Sequence, residues 1–248
     1  MDIQFQATRT FMGCKWRGFH DPESGLDHYG WRVGTTPGGD EILAARNAAL
    51  EEGIFHIFPR DQQLPVGHMI YSTIRAFNKG GLHLEATSNG VMIDNSAPVV
   101  VTSPTAMLGI SSVVANTTVS RTGLSLHWKF QDVESSIERL YLSLSSHLFG
   151  EIDSSNLKIP GFIREYTYIN VDLHDGSKYK VKVTACNMTG LCTSAATWDI
   201  LVDSSKPKTG SFAIETDHAV KLQRHQTGWM TWNSTNLNLA WLGFSDLH

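Results

Sequence analysis

Two pairs of carboxylates stand two positions apart in matching settings, Asp21 with Glu23 and Asp132 with Glu134. On a tight turn such a pair offers oxygen ligands to a hard cation. A further carboxylate at a unit boundary, Asp94 or Asp203, would complete the kind of set that an interdomain calcium site uses. Calcium takes roughly six to eight oxygens, and two or three are visible in each unit. The same residues therefore read first as turn chemistry, with Asp and Ser bonding the amides of their own corner and Gly25 supplying a left-handed backbone. The corner is expected to be structural, calcium is its one testable alternative, and no other cofactor is implied.

Cys186 and Cys192 flank Asn187-Met188-Thr189-Gly190-Leu191. A six-residue step across a tight turn brings two strands to disulfide distance, so a disulfide is expected, the alternative being two reduced thiols in a cytosolic domain. Cys14, on the strand leading to Trp16, is expected to be a small buried hydrophobe. Three N-glycosylation triplets begin at Asn116, Asn187 and Asn233, and Asn187, at what reads as an exposed turn, is the best acceptor. Together with the disulfide they point to a secretory destination, extracellular or the ectodomain of a membrane protein. The eleven histidines form no His-x-x-x-His or His-Glu-x-x-His pair, and neither a Gly-x-Ser-x-Gly elbow nor a phosphate loop occurs. The chain is read as not an enzyme.

The elements that must hold these residues are announced by repetition. Trp16-Arg17-Gly18-Phe19-His20-Asp21-Pro22-Glu23-Ser24-Gly25 is echoed by Trp128-Lys129-Phe130-Gln131-Asp132-Val133-Glu134-Ser135-Ser136, and Trp241-Leu242-Gly243-Phe244-Ser245-Asp246 begins it again. The three tryptophans are 112 and 113 positions apart, the length of one β-sandwich and far longer than a solenoid repeat. Tyr71 to Leu82 matches Tyr179 to Leu191, and Val91 to Pro98 matches Ile200 to Pro207, in the same order. Tyr179, Val181, Val183 and Ala185 alternate with polar residues, the period of a strand with one wet face, and the Asn-x-x-Gly that follows is hairpin chemistry. Pro98 and Pro207 mark strand ends, giving units at 1–98, 99–207 and 208–248. Gly39 to Glu52 alone has apolar spacing a helix could use, as a short crossover or a loop.

Composition agrees with packed domains: 41% of the 248 residues are hydrophobic and 18% charged. A net charge of −4 with no basic run disfavours nucleic acid as a partner. No apolar run reaches the roughly 20 residues of a membrane span, and Met1-Asp2-Ile3-Gln4 lacks signal-peptide character. The repeats nevertheless suggest that both ends are cut.

The motifs Trp-x-Gly-Phe-x-Asp-x-Glu-Ser-Gly, Tyr-x-Val-x-Val-x-Ala-x-Asn and Val-Asp-x-x-x-Pro resemble the repeated fibronectin type III-like modules of large invertebrate surface or secreted proteins. The resemblance implies an all-β chain of tandem antiparallel sandwiches, seven strands each, used as spacers or adhesive modules. Unit one, with only Met1 to Phe11 before its tryptophan strand, is expected to lack its first strand, and unit three to stop inside its corner. The expected function is a non-enzymatic array that binds other proteins of unknown identity. The rival is a set of accessory modules, carbohydrate-binding ones among them, of a larger secreted enzyme or receptor. Exposed tryptophans in a row would favour the rival, whereas Trp16, Trp31, Trp128 and Trp241 are expected in cores.

Overall fold

The computed structural model describes residues 3–48, 50, 52–107, 114–115, 117–118, 120–148, 150–215 and 238–242, and every element in them is a β-strand. In the first unit β1 (Phe5–Gln6) precedes β2 (Phe11–Lys15), β3 (Leu26–Gly34), β4 (Leu43–Ala48), β5 (Gly53–Ile57), β6 (Met69–Asn78), β7 (His83–Thr87) and β8 (Val91–Ile93). One sheet runs β1-β8-β6-β3-β4, with β7 also on β6, and β2 with β5 forms the other.

The second unit repeats the plan with two strands more. It starts with β9 (Val99–Met107), β10 (Val114–Ala115), β11 (Thr117–Thr118), β12 (Gly123–Gln131) and β13 (Ile137–Ser146). It ends with β14 (Gly150–Pro160), β15 (Glu165–Ile169), β16 (Lys178–Asn187), β17 (Cys192–Ala196) and β18 (Ile200–Val202). The sheet β10-β9-β12-β15 faces the sheet β11-β18-β16-β13-β14, with β17 also on β16. The fourth main strand, β14, stays beside β13 instead of joining the first sheet as in constant immunoglobulin domains, so the arrangement is fibronectin type III-like. β19 (Ser211–Glu215) and β20 (Asn238–Leu242) pair antiparallel, with Phe212 opposite Trp241.

Period-2 patterning sets which face is buried. Along β16, Tyr179, Val181 and Val183 are buried between exposed lysines and Ala185 is buried beyond Thr184, and along β13 buried Leu140, Leu142 and Leu144 alternate with half-buried residues. These residues pack on Trp128, Leu124 and Leu126 of β12 to form one core. A separate core in the first unit gathers Trp31, Val33, Ile70, Ile74 and Ile93. Each fully buried Leu or Ile contributes about 2 kcal/mol. The Tyr179 hydroxyl accepts a bond from the His174 amide at 2.7 Å, pinning the corner before β16.

Two sequence expectations change. Gly39 to Glu52 is not helical: Leu43–Ala48 forms β4, anchored by buried Leu43 and Ala48 with four exposed residues between, because pairing with β3 outweighs helix propensity. Tyr71 is not the counterpart of Tyr179. In the hairpins Phe77 faces His83 as Cys186 faces Cys192, a step of 109, which places fully buried Ile70 at the tyrosine's position. No strand of the first unit takes the place of β9 among the described residues.

Candidate functional site

The acidic corner lies between β12 and β13, and its counterpart between β2 and β3. In the first unit Asp21 Oδ1 accepts from the Ser24 amide (2.7 Å), the Ser24 hydroxyl (3.1 Å) and the Gly25 amide (3.1 Å). Gly25 has φ of 71°, and Ser136 holds the same left-handed position with φ of 63°. Asn78, ending β6, donates from Nδ2 to Asp21 Oδ2 at 2.9 Å and accepts the Leu82 amide at 2.8 Å. One carboxylate thus closes its own corner and ties it to the β6–β7 hairpin. Glu23 is exposed beside it.

The second unit builds the same unit of chemistry. Asp132 Oδ1 accepts from the Glu134 amide (3.2 Å) and the Ser135 amide (2.9 Å), and Asp132 Oδ2 accepts from Asn187 Nδ2 at 3.1 Å. Here a third party enters, the linker that leaves β8. Asn187 Nδ2 also donates to Asp94 Oδ2 (2.9 Å) and to the Ser96 carbonyl (2.8 Å), while the Ser135 hydroxyl donates to Asp94 Oδ2. Asp94 Oδ1 accepts the Ser96 amide at 3.0 Å, and the Ser96 hydroxyl reaches Glu134 Oε2 at 3.2 Å. Asp94 and Asn187 are both fully buried. Because Asn187 Oδ1 accepts from the amides of Thr189 (3.2 Å) and Leu191 (2.9 Å), its amide orientation is fixed and Nδ2 must face the carboxylates. A buried carboxylate survives only with such donors around it.

Asp132 and Glu134 therefore converge with Asp94, one oxygen of each lying within 4.8 Å of the others. Asp21 and Glu23 acquire no such third carboxylate among the described residues. Sequence spacing picked out the corner carboxylates and the linker aspartate. It missed Asn187, Ser135 and Ser96, whose matching positions in Asn78, Ser24 and Ser205 were the available signal. Ser205 bonds Asp203 Oδ1 through its amide (3.2 Å) and hydroxyl (3.0 Å), so the second linker has the geometry of the first.

Asn187 corrects an expectation. It is not an exposed glycan acceptor, since Nδ2 is inside the joint and spends its protons on Asp94, Ser96 and Asp132. Asn116 and Asn233 lie outside the described residues. Cys186 and Cys192 are joined in a disulfide between directly opposed residues of β16 and β17. Loop-closure entropy for so small a ring gives about 2 kcal/mol. Cys186→Ser with Cys192→Ser is expected to lower unit two by that amount in a urea titration, leaving unit one unmoved. The first unit has a stack of rings in its place, His28 on Phe77 at 4.4 Å and Phe77 near His83 at 5.4 Å. Cys14 is half-buried against the first core.

Asp21 is held at about 2, below its ordinary 3.8, chiefly by the Asn78 amide and then by the Ser24 amide. A carboxylate depressed in the folded state stabilises it above the unfolded value near 4, and that contribution is lost as pH falls from about 4 toward 2. Asp21→Asn is expected to flatten unit one's stability profile in that window, measured by urea melts between pH 2 and 5. The part that persists belongs to Glu41, held at about 2 by the Thr35 side chain and neighbouring amides, and to Glu85, lowered chiefly by its hydrogen bond from Arg75.

Trp31 and Trp128 are buried, Trp16 is half-buried, and Trp198 is exposed at 78%. Trp16, Trp31, Trp128 and Trp198 thus form no exposed row. No helix among the described residues is long and apolar enough to cross a membrane.

No family model and no curated protein matches the chain. Among solved structures it is similar to the chicken CNTN1 FN1-FN3 domains, at 15% sequence identity and a TM-score of 0.43, with 81% of this chain and 62% of that chain covered. The chain thus spans less than two thirds of the length of that structure, and the fold assignment rests on the strand order and register given above.

Proposed function

We propose that this chain is part of a non-enzymatic extracellular array that spaces and presents binding surfaces to other proteins. The observation that carries the reading is the joint at Asp94. The residues with the best chemistry in the sequence, the corner carboxylates, accept hydrogen bonds from their own turns and from the next strand pair, and so serve orientation of one sandwich on another. The disulfide supports an oxidising compartment, where Asn116 and Asn233 are the remaining candidate glycan acceptors. The test is to label intact, unpermeabilised cells producing the full-length protein with an antibody to this chain, and to probe extracted protein with maleimide. Surface or medium staining with Cys186 and Cys192 blocked until reduction is expected. Internal staining with both thiols labelled would sink the reading.

A second reading has one observation in its favour: the approach of Asp94, Asp132 and Glu134 to within 4.8 Å suits a calcium ion that stiffens the joint. A cation bridging Asp94 and Asp132 competes with the Asn187 amide that already links them. Under this reading millimolar calcium raises the melting temperature of unit two relative to chelator, and Glu134→Gln abolishes the rise. Identical melts would leave the joint to its hydrogen bonds alone.

A further inference from the structure

Alternation also decides what the sheet β14-β13-β16-β17 of unit two shows to the outside. Tyr179, Val181 and Val183 point into the core, so Lys178, Lys180 and Lys182 leave β16 on the other side, all three exposed. At about 3.4 Å per residue their stems stand about 7 Å apart on one straight line. Lys182 lies opposite Ser143 and Lys180 opposite Ser145 of β13, and on the far side of β13 the exposed Lys158 of β14 faces Tyr141. On the other flank the Thr197 amide donates to the Val181 carbonyl at 2.9 Å, so pairing runs on past Ala196. Because Thr197 is buried, Trp198 stands on the outer face beside Lys180, exposed at 78%.

The charge of this column is left largely free. Among the described residues Lys178, Lys182 and Lys158 form no ion pair, and Lys180 lies 3.5 Å from Asp199, a carboxylate it shares with His147. Unit one differs at the same register: Met69, Tyr71 and Thr73 stand in place of the three lysines and Asn89 in place of Trp198. Its own outward cations, Arg32 and Arg75, are both paired with Glu85. The lysine column is therefore not something the sandwich needs in order to fold.

Both interior strands of this face, β13 and β16, have a partner on each side. A ligand lying there meets side chains alone and cannot add as a further strand, which disfavours an extended acidic peptide. A line of evenly spaced cations beside a flat indole suits a stiff chain with anionic groups at regular intervals and ring faces that can stack. We propose that this face of unit two binds a linear sulfated polysaccharide, its sulfates on Lys178, Lys180 and Lys182 and one sugar ring on Trp198. The site is additional to the protein-binding surfaces proposed above, and the purified chain tests it independently of them.

The test is calorimetric titration of the intact chain with a size-defined heparin oligosaccharide and with its desulfated form. Saturable binding of the sulfated probe at physiological salt, weakening as salt is raised, is expected, with none of the desulfated one. Lys180→Gln with Lys182→Gln is expected to weaken binding about 25-fold, at about fivefold for each lysine, and Trp198→Ala about fivefold with the salt dependence unchanged. Lys15→Gln with Lys79→Gln, which removes the same charge from unit one, is expected to stay within about twofold of wild type. All five side chains are exposed, so thermal melts of the variants should match the wild type. No binding at physiological salt, equal losses from the two lysine pairs, or indifference to sulfation or to Trp198 would overturn the proposal. Equal affinity for polyglutamate or for phosphatidylserine vesicles would also overturn it, assigning the face to acidic peptides or to membranes.

Discussion

Asn187→Ala is expected to cost the second unit about 3–5 kcal/mol, whereas Asn78→Ala at the matching place costs the first about 1 kcal/mol. Both side chains bridge a hairpin to an acidic corner. The difference is burial and the number of partners left behind. Asn187 is fully buried, and its removal orphans the Leu191 and Thr189 amides on one side and Asp94 and Asp132 on the other. Each buried group left without a partner costs about 1–3 kcal/mol, more when charged. Asn78 is only partly buried, and water can replace the bonds to Asp21 and Leu82. Urea titrations of the two variants check this. Equal losses would mean that the linker contributes nothing to the joint.

Asp94→Ala is the second large effect. It is expected to destabilise unit two by about 2–4 kcal/mol, since the Ser135 hydroxyl and one Asn187 proton lose their acceptor inside the joint. For a unit of this size that is a fall of about 10 °C or more in the transition of unit two. Unit one should stay within about 0.5 kcal/mol, because the Asp94 amide still donates to the Gln6 carbonyl and its core is separate. Calorimetry, with the tryptophan environments of Trp31 and Trp128 reporting each unit, separates the two transitions. A fall shared by both units would place Asp94 in the first core's stability instead.

What was legible in the sequence followed from periodicity and from local turn chemistry. The tryptophan spacing marked the sandwiches, the alternation along β16 marked its buried face, and Asp21 with Gly25 marked a corner that the structure closes with those same residues. The cysteine step across the hairpin marked the disulfide. What escaped depends on contacts between distant segments. Asn187 reads as an exposed turn residue until the linker of the preceding unit, 93 positions earlier, is laid on it. The pairing of Tyr71 with Tyr179 slipped by one because Ile70, Ser72 and Ile74 alternate against Tyr71, Thr73 and Arg75 with apolar residues in both sets, so the buried face is not announced. The Ala-rich run at Leu43–Ala48 carries no strand signature of its own and is made a strand by its neighbour β3. The His28–Phe77–His83 stack is likewise invisible in one dimension.

In the proposed array the joint at Asp94 fixes one sandwich on the next. Residual dipolar couplings of backbone amides in weakly aligned wild-type chain test it most directly. A single alignment tensor fitting the strands of both units is the predicted result, with two tensors of different magnitude appearing on Asp94→Ala. Two different tensors in the wild type would contradict the account, leaving the acidic corners as turns and the units as independently swinging beads.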